Sequence, residues 1–390
     1  MKIRATTITA CTLGAILLSV ALGWGHDPRA RTPLRVPDIL GFRTLKCDFH
    51  THTVFSDGSV WPDVRAEEAW REGLDAVAIT DHIEYLPHKE DLGARHDRSF
   101  EIARPMGEAL RLTVIKGSEI TRDMPPGHLN AIFLEDSSAV DTGDDWRAAV
   151  REAHRQKAFI FWNHPGWSGQ QPDGVARWYP EHTELVQAGM LHGIEVVNSR
   201  EYYPEAHRWC LEHKLTMLSN SDVHAPLNLE YDVVLGDRRP VTLVFARDAS
   251  PEAIREALFA GRTAAWSGSM LVGEEQFLKP IFRESIVVVN PTVELRGRRQ
   301  AYIQIENRSD LDYELVAGSG PSELRIPASL VLRAGRTVLL SLRAVSVPEG
   351  ATGTVWERDV TLQYRVDNLK IAPDVGMPVE FSFHVKAVAD

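Results

Sequence analysis

A chain of 390 residues is long enough for one large barrel or for two to three domains of ordinary size. Its 44% hydrophobic and 25% charged residues are ordinary for a globular protein, which excludes a largely disordered chain. The formal net charge of −11 argues against a surface that binds duplex DNA or another polyanion. We therefore expect any phosphate group to be bound locally, by metal ions or a few arginines.

Residues 1–23 have the features of an export signal. Lys2 and Arg4 supply a basic start, an apolar run follows, and the small residues Ala21 and Gly23 fit a small-x-small cleavage site. A retained membrane anchor is the alternative, because cleavage is not visible in a sequence. We predict an exported protein, periplasmic or secreted, without membrane contact once the signal is removed.

Short apolar runs alternate with helical segments over residues 45–268, after an extended, proline-containing lead-in at residues 24–44. The predicted strands are, in chain order, 45–52, 75–80, 112–116, 128–134, 158–162, 194–197 and 215–218, and the helices include 62–72, 145–156 and 204–214. Such alternation predicts a parallel α/β barrel, whose active site lies at the C-terminal ends of its strands. Cys47 and Cys210 fall within these elements, and we expect both as buried thiols outside any disulfide scaffold.

The composition changes after the barrel. Following a predicted linker at residues 269–280, residues 281–390 consist of β-rich runs separated by turn residues, which predicts an antiparallel β-sandwich. This region has a single histidine, His384, whereas 13 of the 15 histidines fall between residues 50 and 224. We therefore expect the chemistry in the barrel, and we interpret the sandwich as a module for packing, docking or oligomerisation.

The first predicted strand carries the pattern Cys-Asp-Phe-His-Thr-His, in which Asp48, His50 and His52 should share one face. Two imidazoles at this spacing can bind one metal ion, and Asp57 follows where the strand should turn into a loop. A His-x-His pair is by itself equally typical of a solvated strand face. Partners elsewhere in the chain must therefore decide between the two interpretations.

Further polar motifs stand at the ends of the other predicted strands, and together they resemble a known family. The motifs are His50-Thr51-His52, Ser56-Asp57-Gly58, Thr80-Asp81-His82, Gly117-Ser118-Glu119, His128, Asn163-His164-Pro165 and Asp222-Val223-His224. In this order they resemble the PHP (polymerase and histidinol phosphatase) family over residues 45–266. The signal peptide, the loop at residues 83–89 and the trailing β domain are most similar to the exported PHP phosphodiesterases called Sb-PDE.

The resemblance implies a distorted (β/α)7 TIM-like barrel with two or three divalent metal ions, for which zinc, manganese and iron all suit the mixed nitrogen and oxygen ligands. The first ion would be held by His50, His52, Glu119 and Asp222. The second would share Glu119 and add His128 and His164. The third would be held by Asp57, His82 and His224. Asp48 and Asp81 adjoin these ligands, and we expect them to orient ligand side chains.

The function expected from this resemblance is a metal-dependent phosphodiesterase that converts a small phosphodiester into a phosphomonoester and an alcohol. A water bridging two metals loses a proton near neutral pH, because metal binding can lower its pKa from about 16 to about 7, and it would be the nucleophile. The expected catalytic residues are Glu119, Asp222, His164 and Asp81. The candidate substrate contacts are Arg122, Arg200 and His88. A surface salt bridge is an equal alternative for each arginine, and a solvated loop is the alternative for His88.

Three other functions remain open. A phosphomonoesterase of the histidinol-phosphatase type would use the same positive cluster, since a monoester is a dianion. An amidohydrolase that cleaves C–N bonds often has a carboxylated lysine as its metal bridge, whereas here Glu119 would occupy that position. A non-catalytic exported binding module is disfavoured because all expected ligands are present.

Five further histidines are expected on the surface: His154, His182, His192, His207 and His213.

Overall fold

The computed structural model describes residues 30–345 and 352–389, and from residue 31 onward the chain is one compact unit. The predicted export signal at residues 1–23 and the start of the lead-in lie outside the described residues, so the exported location stays a prediction. Within the described ranges, no helix combines the length and the apolar character that crossing a bilayer requires.

The α/β part of the chain runs from the lead-in to residue 285. Its strands are β1 (Arg43–Asp48), β2 (Ala76–Ile79), β3 (Thr113–Ile120), β4 (Leu129–Ile132), β5 (Phe159–Trp162), β6 (Gly193–Asn198), β7 (Glu201–Tyr202), β8 (Thr216–Asn220), β9 (Val241–Ala246), β10 (Thr263–Ser267) and β11 (Met270–Val272). Its helices are α1 (Pro62–Arg71), α2 (Lys89–Leu92), α3 (Arg98–Leu110), α4 (Trp146–Arg155), α5 (Pro180–Gln187), α6 (Pro204–His213), α7 (Leu227–Glu230), α8 (Pro251–Phe259) and α9 (Glu275–Ser285). Helices α1, α5, α6 and α8 each begin with a proline, as expected where the first N–H needs no partner.

The sheet of this part is mixed, which differs from the parallel barrel expected from the sequence. The pairs β1–β2, β2–β3, β5–β6 and β6–β8 are parallel, whereas β4 is antiparallel to both β3 and β5, and β9 is antiparallel to β1. The reason is the short connection between β3 and β4, because a parallel return needs a crossover of a dozen or more residues. The start of β4 consequently lies beside the end of β3, where Leu129 pairs with Ile120.

The segment predicted as a linker, residues 269–280, is not a simple connection. It contains β11 and the first half of helix α9, which buries Phe277, Leu278, Ile281 and Phe282. These residues recur at a spacing that places them on one helix face, and the helix packs into the hydrophobic core. Strand β11 pairs with a strand of the C-terminal domain, so the two parts share one continuous sheet.

The C-terminal part is β-rich, as expected. Its strands are β12 (Ile286–Val288), β13 (Thr292–Arg296), β14 (Gln300–Asn307), β15 (Tyr313–Ala317), β16 (Leu324–Arg325), β17 (Ser329–Leu332), β18 (Thr337–Ala344), β19 (Thr354–Ala372) and β20 (Val375–Val388). One sheet has the order β12-β14-β18-β16, and the other includes β13, β20, β19, β15 and β17. Most pairs are antiparallel, but β13 pairs with β20 in parallel, as β11 does with β19.

The structure confirms that the two cysteines are buried, and it shows that two of the histidines predicted on the surface are buried as well. Cys47 and Cys210 are buried free thiols. His182 and His207, however, are fully buried. The His182 ring stacks on Trp162 at 3.7 Å, and its Nε2 contacts the backbone oxygen of Pro126 at 2.8 Å. An aromatic partner and a hydrogen-bond acceptor together make the burial of an imidazole favourable.

Candidate active site

The polar motifs converge at one rim of the α/β sheet. Most of them come directly after a strand: His50 and His52 follow β1, His82 follows β2, His164 follows β5, and Asp222 and His224 follow β8. Glu119 is the second-last residue of β3. His128, which precedes its strand, reaches the same rim because β4 runs antiparallel to its neighbours. The side chains that could hold metal ions fall into three groups: His50, His52 and Glu119; Glu119, His128 and His164; and His52, Asp57, His82 and His224.

Glu119 lies between these groups and is almost completely buried. Its Oε2 is 3.2 Å from His52 Nε2 and 3.0 Å from His82 Nδ1. Its Oε1 is 2.8 Å from His128 Nδ1 and 3.6 Å from His164 Nε2. The two oxygens of one carboxylate therefore face different histidines, which is the arrangement of a bridging ligand.

The group around His50 and His52 also includes Asp222. The Nε2 atoms of the two histidines are 3.1 Å apart, and Asp222 Oδ1 is 3.1 Å from each of them. Asp48 does not join them, because β1 ends at this residue and the strand alternation is not maintained. Its carboxylate instead accepts a hydrogen bond from Ser221 Oγ at 2.5 Å and pairs with Arg239 at 3.1 Å.

The third group is the most open part of the cluster. Asp57 Oδ1 lies 3.2 Å from His224 Nε2, 3.4 Å from His82 Nε2 and 3.8 Å from His52 Nδ1. The side chains of Asp57 and His224 are 28% and 36% exposed, whereas that of His50 is fully buried. Solvent and a small ligand can therefore reach the cluster from this side.

Electrostatics within the cluster keep the carboxylates ionised. Burial raises the pKa of Glu119, but the nearby imidazoles of His82, His50 and His128 outweigh burial and hold it well below its usual range. Burial lowers the pKa of His82, but the carboxylates of Glu119 and Asp57 raise it to about 10. The pKa of His224 rises to about 9 because Asp57 and Asp222 outweigh its burial. A cation that enters the cluster would displace protons from these rings, since a metal binds neutral imidazole.

Two residues of the cluster have a strained backbone conformation. His164 has φ 27° and Asp222 has φ 55°, a left-handed region that non-glycine residues rarely adopt. Such conformations persist where surrounding contacts impose them, and they are frequent at functional sites. Here the backbone N–H of Asp222 donates to the His50 backbone oxygen, and the N–H of His164 donates to Glu195.

Asp81 acts on the cluster through other side chains. Its carboxylate accepts hydrogen bonds from the Thr53 backbone N–H at 2.7 Å and from Ser56 Oγ at 2.8 Å. Ser56 Oγ in turn lies 3.2 Å from His52 Nδ1. The contacts therefore lead from Asp81 through Ser56 to His52, whose Nε2 lies 3.2 Å from Glu119 Oε2. The orienting role of Asp81 stays a prediction.

Sequence reasoning missed Glu195, which lies in the middle of β6. It is fully buried, and its Oε1 is 2.9 Å from His50 Nδ1. Its Oε2 accepts hydrogen bonds from the His164 N–H and from Asn198 Nδ2, both at 2.8 Å. A signal was available, because Glu195 is the one charged residue within an otherwise apolar predicted strand.

The three candidate substrate contacts are placed differently. Arg122 pairs at 2.8 Å with Glu84, which follows His82 by two residues in the chain. Arg200 pairs with Asp237 at 2.5 Å and is more than half exposed, so the salt-bridge alternative describes it in this structure. His88 is exposed at the start of α2, outside the three groups of converging side chains.

Comparison with known proteins establishes the family. The crystal structure of a two-domain protein containing a predicted PHP-like metal-dependent phosphoesterase from Bacteroides vulgatus superposes with a TM-score of 0.83. It is 43% identical to this chain, and the match covers 90% of this chain and 99% of that one. This chain belongs to the family of two-domain PHP-like proteins.

Two other matches each cover a part of the chain. The family model DUF5001, described as an Ig-like domain, matches residues 286–382 and confirms the β-rich second domain. The uncharacterized protein MJ1295 of Methanocaldococcus jannaschii is 28% identical to the PHP-like chain over 194 residues. That match covers 47% of this chain and 84% of the archaeal protein. The narrower similarity to the Sb-PDE phosphodiesterases stays a prediction.

Proposed function

We propose that this PHP-like protein is a metal-dependent hydrolase of phosphate esters and, more narrowly, a phosphodiesterase that releases a phosphomonoester and an alcohol. The observation that carries the proposal is the position of Glu119, whose two oxygens face two separate sets of imidazole nitrogens. A single carboxylate between two nitrogen-rich groups suits two neighbouring divalent cations. The relative from Bacteroides vulgatus, described as containing a PHP-like metal-dependent phosphoesterase, supports the same reaction class.

The donor atoms fit divalent cations. Asp57 Oδ1 is buried and accepts no hydrogen bond from any residue that the structure describes, although two imidazole nitrogens lie within 3.4 Å. His50 and His52 likewise direct two nitrogens at one another across 3.1 Å. Two or three ions of zinc, manganese or iron would be held by the residues predicted from the sequence. Bound there, divalent ions would supply positive charge for phosphoryl oxygens and lower the pKa of a water nucleophile.

The protein's own residues contribute position and shielding. Glu195 and Ser56 contact the outer ring nitrogens of His50 and His52, respectively, so that each ring keeps Nε2 for the cluster. Thr121 Oγ1 lies 2.6 Å from His82 Nδ1, and Nε2 of that ring faces Asp57 Oδ1 at 3.4 Å. Burial of the same rings excludes water from all but the open side near Asp57. A phosphate ester would enter from that side, and its alcohol groups would extend toward solvent.

The test compares bis(p-nitrophenyl) phosphate with p-nitrophenyl phosphate after reconstitution of the full chain with zinc, manganese or iron. We expect faster turnover of the diester, and we expect His164→Ala to lower kcat and the bound metal together. The surface variant His154→Gln is the matched control, since His154 is exposed on α4. A strong preference for the monoester would replace the diesterase assignment by the phosphomonoesterase alternative, and full activity of His164→Ala would contradict the proposed site.

A further inference from the structure

Two large aromatic side chains stand exposed against the metal-ligand histidines. The Tyr85 ring lies 6.0 Å from the His82 ring, and Tyr85 is 54% exposed. The Trp167 ring lies 5.3 Å from the His164 ring and 5.7 Å from the His128 ring, and Trp167 is 43% exposed. An otherwise polar site is therefore bordered by two apolar ring surfaces, one near the third group and one near the second.

The two loops that carry these rings are linked through Arg122. Its guanidinium pairs with Glu84, the residue before Tyr85, at 2.8 Å, and its backbone oxygen accepts a hydrogen bond from Gln170 Nε2 at 2.7 Å. Glu84 also accepts a hydrogen bond from the Thr121 N–H at 2.8 Å. These bonds order both loops before any ligand arrives, which lowers the entropy lost on binding.

The Trp167 ring itself is positioned by a close glycine. A Cβ atom at Gly169 would lie 2.5 Å from Trp167 Cζ2, so the indole packs directly on the Gly169 backbone. The backbone N–H of Trp167 donates to the His164 backbone oxygen at 2.9 Å, which fixes the loop that carries the indole. The indole is therefore held at the edge of the cluster, with almost half of the residue open to solvent.

We propose that Tyr85 and Trp167 bind a flat aromatic ring of the substrate, so that the natural ester carries an aryl or heteroaryl group on one of its alcohols. This inference rests on the proposed function, because the phosphate of the same ester would lie at the histidine cluster. Exposed aromatic faces gain most from another planar ring, which stacks on them or meets them edge to face. A stacked ring typically improves affinity by about tenfold.

The experiment measures binding of three phosphonates to the metal-loaded full chain by isothermal titration calorimetry. Phenylphosphonate, cyclohexylphosphonate and ethylphosphonate share the charged group and differ in ring planarity and size. We expect phenylphosphonate to bind about tenfold more tightly than ethylphosphonate, and cyclohexylphosphonate to lie closer to the ethyl compound. Equal affinity for the phenyl and cyclohexyl compounds would show simple apolar contact and would overturn the proposal.

Variants show which side chains cause the preference for phenylphosphonate. Trp167→Leu and Tyr85→Leu should each weaken phenylphosphonate binding about fivefold and change ethylphosphonate binding less than twofold, while Trp167→Phe should retain the preference. Tyr302→Leu, at a 46% exposed tyrosine of β14, is the control without effect. Metal content is measured on every variant, and Gly169→Ala, which displaces the indole without removing it, repeats the test. Unchanged phenyl preference in both Leu variants and in Gly169→Ala would contradict the inference.

Failure of the proposed function gives a different result. If the metal-loaded chain hydrolyses neither nitrophenyl ester but binds phenylphosphonate selectively, the hydrolase proposal is wrong and the aromatic site stands. If it hydrolyses the esters but shows no preference among the three phosphonates, the hydrolase proposal stands and the aromatic site is wrong.

Discussion

At the scale of single residues, Glu195 determines how His50 presents its ring. The carboxylate is fully buried, and besides His50 and the His164 N–H it accepts hydrogen bonds from two amides, Asn198 Nδ2 at 2.8 Å and Asn220 Nδ2 at 2.9 Å. Four donors satisfy a charge that would otherwise be costly to bury. The contact with His50 Nδ1 fixes the tautomer in which Nε2 faces the cluster.

We predict that Glu195→Gln weakens metal binding by about 10–100-fold, because loss of an outer carboxylate partner lowers the basicity of the ligand imidazole. The metal dissociation constant is measured by competition with a chelator at constant pH. Glu201→Gln, at an exposed position that accepts a hydrogen bond from Tyr203, is the matched control. An unchanged metal affinity in Glu195→Gln would show that the contact with His50 is structurally incidental.

A second prediction at this scale concerns pH. Burial lowers the pKa of His182 to about 4, below the value near 6.5 expected in the unfolded chain. Between these values the unfolded state binds a proton that the folded state does not bind, so the free energy of unfolding decreases as the pH falls. For this one group the loss between pH 7 and pH 5 is about 2 kcal/mol.

The measurement is urea unfolding of the metal-free protein at pH 7 and pH 5. We expect the wild type to lose more stability on acidification than His182→Gln does, by about the amount given above. His154→Gln, at an exposed histidine, should retain the wild-type pH dependence. Identical pH dependence in His182→Gln and the wild type would contradict the assigned cause.

At the scale of elements, helix α1 ties two loops of the site together through Arg65. This fully buried side chain donates from Nε to the His52 backbone oxygen at 3.0 Å and from Nη2 to the His224 backbone oxygen at 3.0 Å. It also donates to the Ala225 oxygen at 3.1 Å and pairs with Glu68 at 2.7 Å. One guanidinium thus spans the loops that follow β1 and β8, which are far apart in the chain.

We predict that Arg65→Lys lowers the number of metal ions bound per chain, with the group around Asp57 and His224 affected first. A lysine ammonium is a compact point charge and lacks the fork of donors that reaches several carbonyls at once. Metal per chain is measured by elemental analysis after dialysis against a fixed free-metal concentration. Arg71→Lys on the same helix, where the arginine is exposed and pairs with Glu67, is the control. Equal metal content in both variants would exclude the positioning role.

At the scale of the whole molecule, the α/β part and the Ig-like domain share one hydrophobic core. Phe245 of β9 packs on Phe277 of α9 at 5.1 Å, and Phe282 of the same helix meets Tyr313 at 5.0 Å and Phe381 at 6.0 Å. Pairing of β11 with β19 continues the sheet across the junction. Such continuity predicts that both parts unfold in one transition.

Phe282→Ala tests whether both parts unfold in one transition. Truncation of a buried phenylalanine costs about 3–5 kcal/mol, and we expect it to shift one common unfolding transition of both domains. Tryptophan fluorescence and far-ultraviolet circular dichroism follow urea unfolding, and Phe259→Ala, at a 44% exposed position, is the control. Two separate transitions, of which only one moves, would mean that the domains fold independently.

Local patterns were sufficient to predict much of the site. The motifs of His50, His52, Glu119, His164 and Asp222 stand at the carboxyl ends of apolar runs. Those ends meet at one rim because the strands concerned, β1, β2, β3, β5 and β8, all run in the same direction, with antiparallel β4 between β3 and β5. Those motifs, together with the β-rich texture after residue 281, allowed the PHP-like family and the two-part layout to be predicted. The predicted surface position of His182 was wrong, because no residue near it in the sequence indicates its contact with Trp162.

The sequence by itself determined which side chains form the cluster, since ligand identity and strand-end spacing are properties of short segments. Only the tertiary structure decided three features. Strand β4 runs antiparallel, which brings His128 to the rim. Glu195 contacts His50 although 145 positions separate them in the sequence, and α9 belongs to a core shared by both domains. The physical reason is that these features depend on contacts between segments distant in the chain. A local pattern predicts that a residue is buried or polar, but its partner is set by packing.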